Sequence, residues 1–209
     1  MASGGMLILK WTFRIMTITV SSNERFSWLT MPGESVVDER MQKLFARSRT
    51  ALGFVPNVFM GYTLRPTHFT HWFAHFKEIT QGESELTIAE REMIAVVVSA
   101  HNRCLYCLVS HGAELRRALA DPVLGDRIAF DYRRAGLDAR ARIICDYAHK
   151  LTATPAEMTE TDLESLRDNG FSDVAIFDVA ETAAMYNFTN RLASATGMLP
   201  NREYHDIAR

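Results

Sequence analysis

Two cysteines three residues apart, followed one helical turn later by a histidine, form the most reactive constellation in the chain: Cys104-Leu-Tyr-Cys107-Leu-Val-Ser-His111. On a helix, residues three apart share a face with Cβ atoms roughly 5–6 Å apart, whereas a disulfide asks for about 3.5–4.5 Å. Oxidation of Cys104 with Cys107 would therefore tighten a helical turn. A disulfide formed under such strain is easily reduced, which suits a redox pair better than a structural staple. His111 follows Cys107 by one turn on the same face and can reach that sulfur, but it is about 10.5 Å of helix axis from Cys104. Cys107 thus has a base beside it, while Cys104 sits where helix-terminal amides and the dipole favour a thiolate. Lowering a thiol from pKa ~8.5 to ~7 raises its ionised fraction at neutral pH from about 3% to about half. Glu92, on the preceding helix, can return across the break to orient or deprotonate His111, giving a carboxylate–imidazole–thiol relay. Tyr106, between the cysteines, offers either a hydroxyl donor or packing.

Other readings compete at each position. Zinc could take Cys104, Cys107 and His111, but a closed structural site needs a fourth ligand. The nearest candidate, His101, lies across the helix break. His111 also fits an ordinary polar helix position, and Glu92 a solvated charge. Cys145, without a partner motif, reads as a buried small hydrophobe. His68, His71 and His75 recur near helical spacing beside Trp72 with no carboxylate or cysteine among them, so they read as surface or interface residues.

The elements that must position these groups read almost entirely as helix. Ser35 can cap a helix carrying Val37, Met41, Leu44 and Phe45 on one face. Phe54 to Phe59 reads as a connection, because Pro56 removes a backbone donor and disfavours helix before it. Pro66 opens a helix whose Phe69, Trp72, Phe73, Phe76 and Ile79 form an aromatic stripe, expected as core or subunit contact rather than as the lining of a substrate pocket. Thr87 with Glu90 is a capping box opening Ile88 to Ala100, and a second helix is expected from Cys104 to about Ala120. Asp138 caps a helix through Leu151. Thr159 with Asp162 begins a short helix that Gly170 ends, and Ser172 starts a long one to about Ala195. The spans 87–120 and 159–195 each pair a capping box with helix, break and helix, as a worn internal duplication would. The expected fold is all-α: one compact helical bundle over residues 31–209, preceded by an N-terminal extension, residues 1–30.

Composition narrows the class. With 23 basic against 25 acidic residues the net charge is −2, which gives no electrostatic reason to expect nucleic acid or anionic membrane as partner. No uncharged run approaches the ~20 residues of a spanning helix. Three cysteines, an odd number, make no disulfide framework and point to a reducing compartment, the cytoplasm. Met6 to Val20 is apolar, but Lys10 and Arg14 break it, so it lacks the clean core of a signal peptide. Met16 reads as an alternative start, which would make residues 1–15 a start-site artefact.

Glu92, the eleven residues after it, Cys104-x-x-Cys107 and His111 together resemble the AhpD-like alkylhydroperoxidases of the carboxymuconolactone decarboxylase superfamily. The resemblance extends to Phe54-Val-Pro-Asn57, Leu86 to Ile94 and Asn187 to Ala193, spans roughly residues 35–199, and is similar to the peroxidase-related branch. It implies an all-helical subunit assembled into trimers or hexamers. It also implies reduction of organic hydroperoxides or hydrogen peroxide by thiols, without haem, metal or other cofactor, and with an external dithiol or protein reductant. It assigns Cys104 and Cys107 to the redox pair and Glu92 and His111 to the proton relay. Better-studied members often carry a histidine where this chain has Tyr106, which leaves the relay one imidazole and bears on the choice of reductant. Decarboxylases of the superfamily lack the cysteine pair, so lactone decarboxylation is not expected. Two further expectations stand beside the peroxidase: a thiol–disulfide exchanger or redox sensor, and a non-enzymatic oligomeric scaffold.

Overall fold

The computed structural model of the chain describes residues 25–209. The expectations for Met6 to Val20 and for residues 1–15 lie outside the described residues. Nine α-helices and several single 3-10 turns, with no strand, make up the fold among the described residues. The helices are α1 Glu39–Leu52, α2 Asn57–Gly61, α3 Pro66–Gln81, α4 Ile88–His101, α5 Leu105–Leu119, α6 Pro122–Asp131, α7 Ala139–Ala153, α8 Glu160–Asp168 and α9 Asp173–Ala195.

The centre is α4. Apart from Glu92 it is buried from Glu90 to Ser99, as expected of a helix that is apolar nearly all round. Ile94, Ala95 and Val98 meet Ile144 and Ala148 of α7 and Val179 and Ala183 of α9. Val96 and Val97 face Leu115 of α5 and Ile128 of α6. Both expected capping boxes form, Thr87 with Glu90 and Thr159 with Asp162. Asp138 and Ser172 accept the expected amides, those of Ala141 and Ala175.

Three local expectations change. The first long helix is capped by Asp38, whose carboxylate accepts the Met41 N–H (2.9 Å), whereas Ser35 lies in a separate 3-10 turn and Val37 is extended. The connection after Phe54 contains the short helix α2, because the Pro56 carbonyl can still accept the N–H groups of Phe59 and Met60. A helix not expected, α6, starts at Asp121-Pro122, where the aspartate accepts the Leu124 N–H (3.0 Å) and proline fills the first helical position.

Residues 26–28 are tied to the end of α9: Leu199 N–H donates to the Phe26 carbonyl (2.8 Å), and both Trp28 N–H (2.9 Å) and Ser27 Oγ (2.8 Å) donate to the Thr196 carbonyl. At Gly197 (φ +58°) any side chain would collide with the Trp28 ring, so glycine is what lets this segment seat.

Candidate active site

The turn between α4 and α5 sets the site. Asn102 ends α4, and Arg103 takes a left-handed conformation (φ +52°). The N–H groups of Arg103 and Cys104 then return to the carbonyls of Ala100 (3.2 Å) and Ser99 (3.0 Å), closing a Schellman motif. The Asn102 side chain anchors the turn on α9 by donating to Asn187 and Asn190 (3.0 Å each). Asn190 in turn donates to Ser99 Oγ (3.0 Å). The chain leaves this turn with Cys104 as the N-cap of α5 and Cys107 in its first turn.

Both thiols are free and buried. A hydrogen bond from the Cys107 thiol pulls the Cys104 pKa below the ordinary thiol range, and burial opposes it. The Cys107 amide, the Ser194 hydroxyl and the nearby His111 add to the lowering. The same thiol–thiol bond, together with burial, pushes Cys107 well above the ordinary range. The thiol–thiol bond thus favours a single ionisation shared by the pair, with Cys104 shifted down and Cys107 shifted up.

His111 is enclosed by three helices. Its Nδ1 lies 2.8 Å from Glu92 Oε2 of α4, with 17% and 12% of the two side chains exposed. Tyr186 of α9 meets the ring edge-on at 4.6 Å, with its hydroxyl 3.3 Å from Nδ1, and Phe76 of α3 lies at 6.3 Å. Burial lowers the imidazole pKa, but the charge and hydrogen bond of Glu92 outweigh it and the net shift is upward from 6.5. Tyr106 is buried, and its hydroxyl accepts the Val58 N–H of α2 (3.2 Å). Burial raises that phenol well above its ordinary range. Tyr106 thus remains a neutral hydroxyl that fixes α2 over the cysteines.

The two sulfurs face different openings. Cys107 and His111 line an almost wholly apolar cavity of about 130 Å³, walled by Phe59, Tyr62, Trp72, Phe76, Tyr106 and Tyr204 among others. Cys104 lines a second, more polar hollow with Arg25, Trp28, Arg103 and Ser194. Trp72 and Phe76 of the aromatic stripe thus line a pocket, while Phe69 is core as expected.

The sequence reading missed Glu114, Tyr186 and Ser194. Glu114 lies on the same cavity wall, one turn beyond His111, and burial raises its carboxyl although Arg117 opposes this. The spacing His111 to Glu114 was the available signal for it. Tyr186 and Ser194 come from α9 and left no local signal. Cys145 is fully buried, its thiol pushed up to about 12, as a small hydrophobe would be. His68, His71 and His75 are exposed, and His75 pairs with Glu181 (3.1 Å). His101 meets His149 edge-on at 4.9 Å.

Comparison with known proteins places this architecture. Residues 66–129 match the carboxymuconolactone decarboxylase family. A peroxidase-related protein from Silicibacter sp. TM1040 is 42% identical over 91% of this chain and 100% of its own, with a TM-score of 0.87. A peroxidase-related protein with an alkylhydroperoxidase AhpD core, from Ralstonia eutropha JMP134, is 35% identical over 89% and 98%, with a TM-score of 0.86. The debrominase Bmp8 shares the fold alone, at 18% identity over 90% and 98%, with a TM-score of 0.71. No curated protein matches the chain.

Proposed function

The chain belongs to the AhpD-like carboxymuconolactone decarboxylase superfamily, and from that premise we propose that it is a thiol-dependent peroxidase working in a reducing compartment such as the cytoplasm. The observation that carries the reading is a hydrogen-bonded Cys104–Cys107 pair next to the His111–Glu92 pair, with Cys107 and His111 lining one apolar cavity.

An organic hydroperoxide enters that cavity and meets Cys107. The Cys107 proton crosses to the Cys104 thiolate, and the Cys107 sulfur attacks the terminal peroxide oxygen. The S–O bond forms, the O–O bond breaks, and the leaving alkoxide takes a proton from the imidazolium of His111 to become the alcohol. Cys104 then attacks the sulfenic sulfur. The disulfide forms, and hydroxide leaves with the Cys104 proton as water. An external dithiol reduces the disulfide by exchange and is itself oxidised. Glu92 keeps the imidazole charged until the alkoxide departs, and Tyr186 and Phe76 hold its plane. Val174, Phe177 and Phe188 are exposed along α9, which supports assembly into trimers or hexamers; light scattering that finds a monomer at micromolar concentration would remove that part.

Trapping of sulfenic acid tests the chemistry. After hydroperoxide treatment, mass spectrometry should find the adduct on Cys107 in Cys104→Ser and little on Cys104 in Cys107→Ser. An adduct confined to Cys104 reverses the assignment, and two cysteines no faster than a free thiol end the peroxidase reading. The second reading, a thiol–disulfide exchanger, is favoured by Cys104, its pKa lowered, opening on a hollow that Arg25 and Arg103 also line. It predicts rapid exchange with a protein disulfide and negligible peroxide turnover with any dithiol.

A further inference from the structure

The two cysteines open on spaces of different size and sign. The Cys107 cavity, about 130 Å³, compares with an engineered cavity of about 150 Å³ that holds one benzene. Among the described residues its wall carries one carboxyl group, Glu114, and no lysine or arginine. The Cys104 hollow measures about 500 Å³, within the range of ordinary ligand pockets. Its wall has the opposite sign: among the described residues it carries Arg25 and Arg103 and no aspartate or glutamate. The sulfurs are turned accordingly. The Ser194 hydroxyl, on the wall of the hollow, bonds the Cys104 sulfur, whereas Thr189, on the wall of the cavity, bonds that of Cys107. Arg25 and Trp28 reach the hollow on a segment pinned to the end of α9 by the hydrogen bonds of Phe26, Ser27 and Trp28. Trp28 and Leu105 are both exposed, so an apolar shoulder accompanies the two guanidiniums, whose forked N–H donors suit a carboxylate.

We propose that the reductant docks in the Cys104 hollow, that it is a thiol carrying a carboxylate, and that it attacks the oxidised pair at the Cys104 sulfur. A peptide-sized thiol fits the hollow and exceeds the cavity, and its carboxylate meets two arginines on one side and Glu114 on the other. The proposal rests on the redox pair of the peroxidase reading and not on its peroxide step. The incoming thiolate attacks Cys104 and the Cys104–Cys107 bond breaks. A mixed disulfide forms on Cys104, and the departing Cys107 sulfur takes up the proton that the thiol released. A second thiolate attacks the outer sulfur, the reductant leaves as its disulfide, Cys104 departs as thiolate, and the second proton returns to His111. Access and charge select this sulfur over the better leaving group that attack at Cys107 would release. Peroxide and reductant thus use separate openings.

Diamide joins the two cysteines without peroxide, so reduction can be timed by itself, with acid quench, alkylation and mass spectrometry as the readout. Dihydrolipoate and dihydrolipoamide share their thiols and differ in carboxylate against amide. At low ionic strength dihydrolipoate should reduce the disulfide roughly fivefold faster, and high salt should remove most of that advantage. The ratio should fall toward one in Arg25→Gln/Arg103→Gln, with each single variant between. Glutathione quenched during the reaction should be found as a mixed disulfide on Cys104. A wild-type ratio near one, a ratio that the double variant leaves unchanged, or glutathione on Cys107 overturns the proposal. Arg25 is exposed and outside the helices, so Arg25→Gln decides alone if Arg103→Gln does not fold. A disulfide reduced in this way in a protein that never consumes peroxide keeps the docking site and ends the peroxidase reading. Peroxide turnover without the preference for carboxylate does the reverse.

Discussion

The α4–α5 and α8–α9 junctions follow one local plan. In each, a capping box opens the first helix and an asparagine closes it, at Asn102 and at Asn169. Each then has a left-handed residue whose amide, with the next, returns to two carbonyls of the last turn. At α8 the left-handed residue is Gly170 (φ +85°) and the next, Phe171, packs with Leu166 in the core. At α4 the left-handed residue is Arg103, and the next is Cys104. The helix that follows also differs. Ser172 caps α9 with its hydroxyl, while Cys104 caps α5 with a sulfur and makes no ordinary side-chain cap bond. The stable junction uses the residues local physics prefers, and the reactive one departs from them at two adjacent positions. A thiolate there gains from the Cys107 amide what a serine cap would have spent on helix stability.

The sharpest way to test that contrast is to give Cys104 the residue that α9 already has. Cys104→Ser should lower hydroperoxide turnover on the order of 10³-fold or more, because the thiolate and the disulfide partner are lost together. Its melting temperature should rise, since serine supplies a cap worth about 1 kcal/mol, or roughly 2–4 °C for a chain of this size. Calorimetry alongside a peroxide-consumption assay checks both. A variant that loses activity and also melts lower would show that the sulfur stabilises α5 and that no exchange of stability for reactivity took place.

Next in size is the relay, which α8–α9 lacks. Glu92→Gln should cut turnover roughly 10²-fold at neutral pH. Without the carboxylate, burial prevails and the His111 pKa drops from its raised value. The sign of the stability effect follows from that direction. His111 titrates above 6.5 in the folded chain, so the pair's contribution to stability is complete below pH 6.5 and fades as pH rises through the folded value. The gap in melting temperature between the wild type and Glu92→Gln should therefore be widest in mild acid and narrow toward alkaline pH. A gap that widens as pH rises would mean that Glu92 does not hold a proton on His111.

Much of this was legible in the sequence because the signals are local. Capping boxes, the Gly170 stop and the Ser172 start are spelled within four or five residues, and Glu92, Cys104, Cys107 and His111 lie close in sequence on neighbouring helices. What stayed hidden depends on facing partners. The aromatic stripe of α3 shows which side of the helix is apolar, but not that Trp72 and Phe76 line the cavity that holds Cys107 and His111 while the buried Phe69 does not. Tyr186 and Ser194 reach the site only because α9 crosses both α4 and α5. The start of α6 was spelled out at Asp121-Pro122, and Asp38 competed with Ser35 as a cap with only a few residues between them. There the sequence offered more than one valid start, and packing chose.

The smallest effects sit at the left-handed residues themselves, where the contrast can be exchanged. A residue with a Cβ in that conformation costs about 1–2 kcal/mol, a cost glycine does not bear. Arg103→Gly should then raise the melting temperature by roughly 2–8 °C, and Gly170→Arg should lower it by a similar amount. Activity should respond at one junction only. Gly170 lines neither hollow that the cysteines line, so Gly170→Arg should leave turnover per folded molecule unchanged. Arg103→Gly removes a guanidinium from the hollow that opens on Cys104, so it should slow reduction of the disulfide by an anionic dithiol more than by a neutral one of similar potential. Equal slowing with both dithiols would reduce Arg103 to a strained turn residue, with no part in receiving the reductant.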